Sequence, residues 1–319
     1  MNLKEQLKYV FDVMRFSAES SWLVSHCRDF TMNPRVRYLI KLIVAPFCVF
    51  KCFPVKDVPG RSGLALVLIA KNEAPYIEEW INFHRKQGVS HFFIYDNEST
   101  DNLHEVLKPY IESGLVTYHF IKGRGRQLDA YAKAAHAYGR KYKYLAFIDA
   151  DEFLFVRKNP YGEGHNLYDF VDGFMKAHPN AGALFVNWLI FGSSGHITKP
   201  EGGVLENFTK CAADDFDSYG KYICDPMKVL KFMNHNCICR RGFYTLDETG
   251  EVITEVFSEI KHFDHIRLNH YVTKSREEYI EKMNRGMADR VNPKEKRTME
   301  YFDSHDRNEF TDTEILSYI

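Results

Sequence analysis

Residues 147 to 153 read FIDADEF and set three carboxylates, Asp149, Asp151 and Glu152, directly behind an apolar approach. An ionised carboxylate resists burial unless something positive or hydrogen-bonding compensates it, so the stretch calls for a cation. Asp149 and Asp151 lie two apart, so on an extended stretch both point to one side. There they could hold Mn²⁺ or Mg²⁺, directly or through water, while the metal bridges two phosphates. The plain alternative is a solvated acidic turn.

A second group is basic. Arg124 and Arg126 stand in GRGRQ just before a helical pattern. Glycines allow close backbone approach, guanidinium forks suit phosphate oxygens, and a helix N-terminus favours an anion. No GK[ST] follows, so this is not a Walker loop. The alternative is a solvated basic loop. Two further polar groups, Lys71-Asn72-Glu73 and Asp96-Asn97-Glu98-Ser99-Thr100-Asp101, complete the set.

All four groups follow apolar runs. LALVLIA (Leu64 to Ala70) reads as a strand buried on both faces. PYIEEWINFHRKQG follows as a helix with Ile77, Trp80, Ile81 and His84 on one face, Pro75 near its start and Gly88 as its stop. The cycle repeats with strand HFFIY, a helix after Asp101 as cap, strand LVTYHFI, a helix from Arg126, and strand YLAFI. This alternation predicts an α/β fold with an open, mostly parallel sheet. Ligands of such sheets bind beyond the carboxyl ends of the strands, so the four groups should meet along one edge. A metal, an anion clamp and polar partners together suit a nucleoside diphosphate carrying a sugar. Beyond Phe153 the pattern predicts a helix at LYDFVDGFMKAH, a strand at GALFVNWLIF, short strands to about residue 266, and a helix at SREEYIEKMNRG. That half should build the pocket for a second substrate.

The 319 residues are 45% hydrophobic and 27% charged, as in a globular chain long enough for a large core. Lys plus Arg (42) nearly balances Asp plus Glu (43), which gives no field to draw nucleic acid. Seven cysteines at irregular spacing, with Cys237-Ile238-Cys239 too tight for the usual zinc pair, read as reduced thiols. Residues 1–60 read as a helical and then irregular segment ending in the linker-like FPVKDVPGRSG. MNLKEQLKYVF is too charged for a signal peptide, and LIVAPFCVF is too short to span a bilayer. The basic and apolar residues 36–53 could rest on a membrane surface.

LVLIAKNEAPYIEEWINFHRKQGVSHFFIYDNESTDN resembles the opening of the glycosyltransferase-A superfamily, especially glycosyltransferase family 2 and the family 92-like transferases. FIDADEF matches their DxD motif, and LNHYVTKSREEYIEKMNRG resembles the C-terminal signature of the family 92-like group. The resemblance covers roughly residues 64 to 286. It implies a Rossmann-like catalytic domain at 61–290, with a nucleotide-sugar half (61–155), an acceptor half (156–290) and a helical tail at 291–319. It implies a metal-dependent, inverting hexosyl transfer from a nucleotide diphosphate sugar, UDP-linked, to a glycan or lipid-linked saccharide.

By the resemblance Asp96 accepts hydrogen bonds from the nucleotide, Asn72 and Glu73 contact the nucleoside, and His270 joins Asp149 and Asp151 on the metal. Lys274, Lys282 and Arg285 could touch the diphosphate, although an ordinary solvated helix face is an equal reading. A carboxylate beyond the DxD should deprotonate the acceptor hydroxyl. Glu206, Asp214, Asp215 and Asp217 are the candidates, and Asp215 and Glu206 stand for them in the catalytic set. Trp188 offers a stacking platform for the acceptor sugar, against core packing as the alternative. Two other readings compete. HAD-type phosphatases also place Asp-x-Asp after a parallel strand, but with Thr or Val soon after, where DADEF has Glu and Phe. A non-catalytic sugar-binding relative would keep the fold alone. The transferase reading places the chain in the cytoplasm, at the inner face of a membrane.

Overall fold

The computed structural model describes residues 53–258, 260–286, 290, 292 and 296–319. The segment 36–53 therefore lies outside the described residues except for Phe53. No helix among the described residues is long and apolar enough to cross a membrane.

Strand β1 (Leu64–Ala70) is buried along its whole length. Its residues alternate between two apolar clusters: Leu64, Leu66, Leu68 and Ala70 pack on one face, and Ala65, Val67 and Ile69 on the other. That period of two is what a strand covered on both faces requires. Helix α1 (Ala74–Lys86) buries Ile77, Trp80, Ile81, Phe83 and His84. Each large apolar side chain removed from water contributes roughly 1.5–3 kcal/mol. His84 is fully buried because both ring nitrogens are used: Nδ1 donates to the Trp80 carbonyl (2.8 Å), and Nε2 accepts from the Leu154 amide (3.1 Å).

The alternation continues with β2 (His91–Asp96), α2 (Leu103–Glu112), β3 (Val116–Phe120), α3 (Gln127–Tyr138), β4 (Tyr144–Phe147) and β5 (Glu152–Val156). It then passes through α4 (Leu167–Ala177), β6 (Ala181–Ile190), the short α5 (Val204–Asn207), β7 (Lys210–Cys211), β8 (Gly220–Cys224), β9 (Val229–Phe232), β10 (Cys237–Cys239) and β11 (Tyr244–Leu246). The last elements are β12 (Ile266–His270), α6 (Arg276–Arg285), α7 (Met299–His305), β13 (Phe310–Thr311) and a 3₁₀ turn at Glu314–Tyr318. The expected helical tail is thus helical at α7, after which β13 pairs with β7.

The main sheet has the order β3-β2-β1-β4-β8-β6-β12-β5. Strands β3, β2, β1 and β4 are parallel, as the alternation predicts. The second half introduces antiparallel neighbours: β8 runs against both β4 and β6, and β5 against β12. Strand β6 is long enough to pair in parallel with β11 near Ala181 and with β12 near Trp188. One sheet therefore joins both halves of the chain. Asp101 contributes where α1 and α2 begin, its carboxylate accepting from the Ala74 amide (2.9 Å) and the Leu103 amide (3.2 Å).

Candidate active site

Beyond the carboxyl ends of β1, β2, β3 and β4 lies a cavity of about 1110 Å³. Each of those strand ends contributes to its wall: Lys71 and Glu73, Asn97 and Glu98, Gly123 and Arg124, then Asp149 to Asp151. Asn97 ties two of the loops together, its amide donating to the Ile121 carbonyl (2.9 Å) and the Gly123 carbonyl (2.8 Å). Glu98 accepts from the Gly123 amide (2.9 Å) and sits at φ +60°, a left-handed conformation that a side chain adopts only under local constraint.

Asp149 and Asp151 do not lie on an extended stretch. They occupy the tight turn between β4 and β5, closed by the Glu152 amide donating to the Asp149 carbonyl (3.1 Å). The cations nearest them belong to the chain itself. The Lys221 ammonium, projected from β8, donates to Asp149 Oδ2 (2.8 Å) and lies 3.7 Å from Glu152 Oε1. Lys282, from α6, donates to Asp151 Oδ2 and to the Val272 carbonyl (2.9 Å). Burial opposes ionisation of Asp151, but Lys282, His270 and Lys274 outweigh it and hold the carboxyl well below the usual carboxylate range. Asp149 is likewise lowered, Lys221 overcoming burial. Glu152 is raised, because burial and the two aspartates outweigh Lys221. Burial brings Lys282 down to about 8.

Helix α6 opens with a capping box, Ser275 and Glu278 exchanging side-chain-to-backbone hydrogen bonds. That start aims its last turn at the strand ends. Arg285 donates to the carbonyls of Lys71 (3.0 Å) and Asn72 (3.1 Å) and pairs with Glu73. The C-terminal signature therefore clamps the loops after β1 and β4.

His270 ends β12 opposite Glu152 of β5. Its Nε2 lies 3.7 Å from Asp151 Oδ1, and its ring packs 4.3 Å from that of Trp188 on β6. Among the described residues, Trp188 Nε1, His270 Nδ1 and Asn234 Oδ1 have no hydrogen-bond partner. Trp188, Asp217, Tyr219, Asn234, His235, Val256, Tyr301 and His305 form the other end of the cavity. Burial and Lys221 push His235 down to about 4, so its ring is neutral.

Of the expected site residues, Glu73, Arg124, Asp149, Asp151, Trp188, His270, Lys282 and Arg285 line this cavity, and so does Asp217. Others stand elsewhere. Asp96 is buried away from the wall, its carboxylate accepting from the Ser99 amide (2.8 Å) and the Tyr118 hydroxyl (2.7 Å). Arg126 turns back to Asp129 (2.8 Å) and the Lys122 carbonyl (3.0 Å). Glu206 is exposed and caps α5, accepting from the Gly203 amide (2.9 Å). Asp214 and Asp215 are exposed outside the cavity. Asn72 and Lys274 line a smaller neighbouring cavity of about 430 Å³, where the Lys274 ammonium sits 3.5 Å from the Tyr76 ring centre. His262 and His265 pair with Asp247 and Glu248, away from the turn.

Sequence reading missed Lys221, and also Gln127, whose amide donates to Asp149 Oδ1 (3.2 Å). The available signal for Lys221 was a lone lysine inside the apolar strand GKYIC, a position that burial penalises unless an anion faces it.

A sequence profile of glycosyltransferase family 92 matches residues 69–308. A family 92 protein of Oryza sativa subsp. japonica is 31% identical over 148 residues, 46% of this chain and 24% of that one. The galactan β-1,4-galactosyltransferase GALS2 of Arabidopsis thaliana is 39% identical over 90 residues, 25% of this chain and 17% of that one. The matched region spans about a quarter or less of these relatives' own length. Among solved structures, S. aureus TarS 1-349 in complex with UDP-GlcNAc aligns at 15% identity and a TM-score of 0.34, covering 51% of this chain and 45% of that one.

Proposed function

The chain belongs to glycosyltransferase family 92, and from that premise we propose that it transfers a hexose from a UDP-linked sugar to a saccharide acceptor, with inversion. The observation that carries this reading is the cavity itself. An acidic turn faces Arg124, Lys282 and Arg285 at the edge of the sheet where α/β folds bind nucleotides. The basic side chains suit the diphosphate, and the loops after β1 and β2 suit the nucleoside. Two relatives bear the name galactan β-1,4-galactosyltransferase, which supports galactose as the hexose and a β-linked galactan as the acceptor.

In the reaction an acceptor oxygen forms a bond to the anomeric carbon, the bond to the diphosphate breaks, and its electron pair leaves with UDP. The hydroxyl proton goes to a base. Asp217 takes that role, because of the four carboxylates considered it alone lines the cavity, held by accepting the Tyr219 amide (3.0 Å). Lys221 keeps Asp149 ionised and in place, and Lys282 does the same for Asp151.

The donor chemistry here fits a divalent cation: two carboxylates and an imidazole whose Nδ1 is unpartnered on one wall. Among the described residues no three such side chains already converge as a cage, each carboxylate being occupied by an ammonium instead. Mn²⁺ would be held by Asp149, Asp151 and His270, and when bound it would supply Lewis-acid neutralisation of the diphosphate. A cytoplasmic site of action at a membrane face remains part of the proposal and turns on residues 36–53.

Calorimetric titration with UDP, GDP and CDP, each with Mn²⁺ and then with EDTA, tests the reading. Metal-dependent binding of UDP that Asp151→Ala abolishes is the expected result. Binding of none of the three would overturn it.

A further inference from the structure

The cavity does not end at the carboxylates. Trp188, 7% exposed, forms its inner wall, and from there aromatic rings continue outward. The Trp188 and Tyr219 rings lie 6.1 Å apart, and the Tyr219 and Phe257 rings another 6.1 Å. His235 packs edge-on between the first two, 5.2 Å from Trp188 and 5.3 Å from Tyr219. Tyr219 and Phe257 are each 40% exposed, so the row grades from buried to open.

The row is held by backbone. The Trp188 amide donates to the Tyr219 carbonyl (3.0 Å), the Ser258 amide to the Ser218 carbonyl (3.0 Å), and Tyr219 and Phe257 form an antiparallel bridge. Beside it stand an unpartnered donor, Trp188 Nε1, and an unpartnered acceptor, Asn234 Oδ1, both on the cavity wall.

We propose that the acceptor is a saccharide chain of at least two hexoses, laid along the track Trp188–Tyr219–Phe257 with its reacting hydroxyl toward Asp217. The proposal rests on the glycosyltransferase reading and specifies its second substrate. A hexose ring has an apolar C–H face for an aromatic ring and a rim of hydroxyls for polar groups. The track offers both: Trp188 and Tyr219 line the cavity together with Asp217, Asn234 and His235, and Phe257, packed on Tyr219, lies just beyond that lining. A protein partner or a lipid surface would instead call for a broad contiguous apolar patch. The rings step outward from the wall that also holds Asp151 and His270, which gives the chain a direction.

The test uses the full chain and β-1,4-galacto-oligosaccharides of two and four units, with cello-oligosaccharides of the same lengths for comparison. Binding is read by saturation-transfer NMR and calorimetry without donor. The longer galacto-oligosaccharide should bind more tightly. Phe257→Ala should remove that length advantage with a loss of about three- to tenfold, and Tyr219→Ala should weaken both lengths. Tyr219→Phe, which keeps the ring, should bind as wild type and so separates stacking from misfolding. Phe310→Ala, an exposed ring outside the cavity, should change nothing.

Unchanged binding in both alanine variants, or no binding of any oligosaccharide by the wild type, overturns the track. A parallel UDP titration keeps the two readings apart. Oligosaccharide binding that Phe257→Ala weakens, in a protein that binds no UDP, would leave the track standing and remove the transferase reading.

Discussion

The two ends of the cavity are built differently. Along the strand ends, short contiguous motifs of neighbouring strands supply the wall, and two ammonium groups neutralise it. Around Trp188, the end proposed for the acceptor, single residues from β6, from the turn before β8 and from the segments at 234–235 and 256–257 meet without any motif. The first arrangement can be found by reading along the chain. The second exists only after folding.

The largest expected effects test the chemistry at the junction. Asp151→Asn removes the carboxylate that pairs with Lys282 and that is proposed to hold the metal; on that reading it costs several kcal/mol of transition-state stabilisation or about 10³-fold in rate, read as the initial rate of UDP release. Asp217→Asn should lower transfer by about 10²- to 10⁴-fold, as loss of a general base does. UDP affinity by calorimetry should stay unchanged. If both variants lose UDP binding, the two ends are not separate sites.

Next comes the internal neutralisation. Lys221→Met leaves the buried Glu152 and the part-exposed Asp149 without their cation. Water reaches Asp149, so the loss should fall short of the roughly 3–5 kcal/mol of a fully buried pair broken from one side, and a denaturant midpoint would show it. His84 gives a pH signature. Burial pushes it down to about 3 from an ordinary value of 6.5, and a proton on Nε2 would cost the bond from the Leu154 amide. The unfolded chain binds that proton first. The stability is therefore fully present above about pH 6.5 and falls as pH drops toward 3. Chemical denaturation across that range should show a loss that is smaller by a few kcal/mol in His84→Phe, which starts from a lower value, while His235 and the paired aspartates keep their own share of the acid loss.

The smallest effect sharpens the contrast within one loop. Arg124→Ala should weaken UDP about tenfold, as loss of a charge-assisted hydrogen bond does. Arg126→Ala, outside the cavity, should leave UDP binding within error and change stability by about 0–1 kcal/mol.

The parallel half was legible because β1 and β2 are short continuous apolar runs followed by polar clusters, and α1 carries a helical period with Gly88 as its stop. That Asp149, Asp151 and Arg124 would line a cavity was legible because such cavities lie beyond the strand ends of these sheets. Asp96 and Arg126 misled because their residue types suit either a ligand or a turn, and only the positions of Tyr118 and Asp129 decide which. Glu206 misled in the same way, since a carboxylate at the third position of a short helix also serves as a cap. The antiparallel insertion of β8 was hidden because a short apolar strand carries no mark of its direction, and Lys221 was hidden with it.

The clamp formed by α6 also sets an order of assembly. Lys282 reaches Asp151 across 131 positions, and Arg285 reaches the Lys71 carbonyl across 214. The cavity wall therefore cannot be completed until almost the whole of the described chain has been made. Contacts so distant in sequence form late and slowly. A chain that stops before residue 282 lacks both contacts and leaves the loops after β1 and β4 without the clamp.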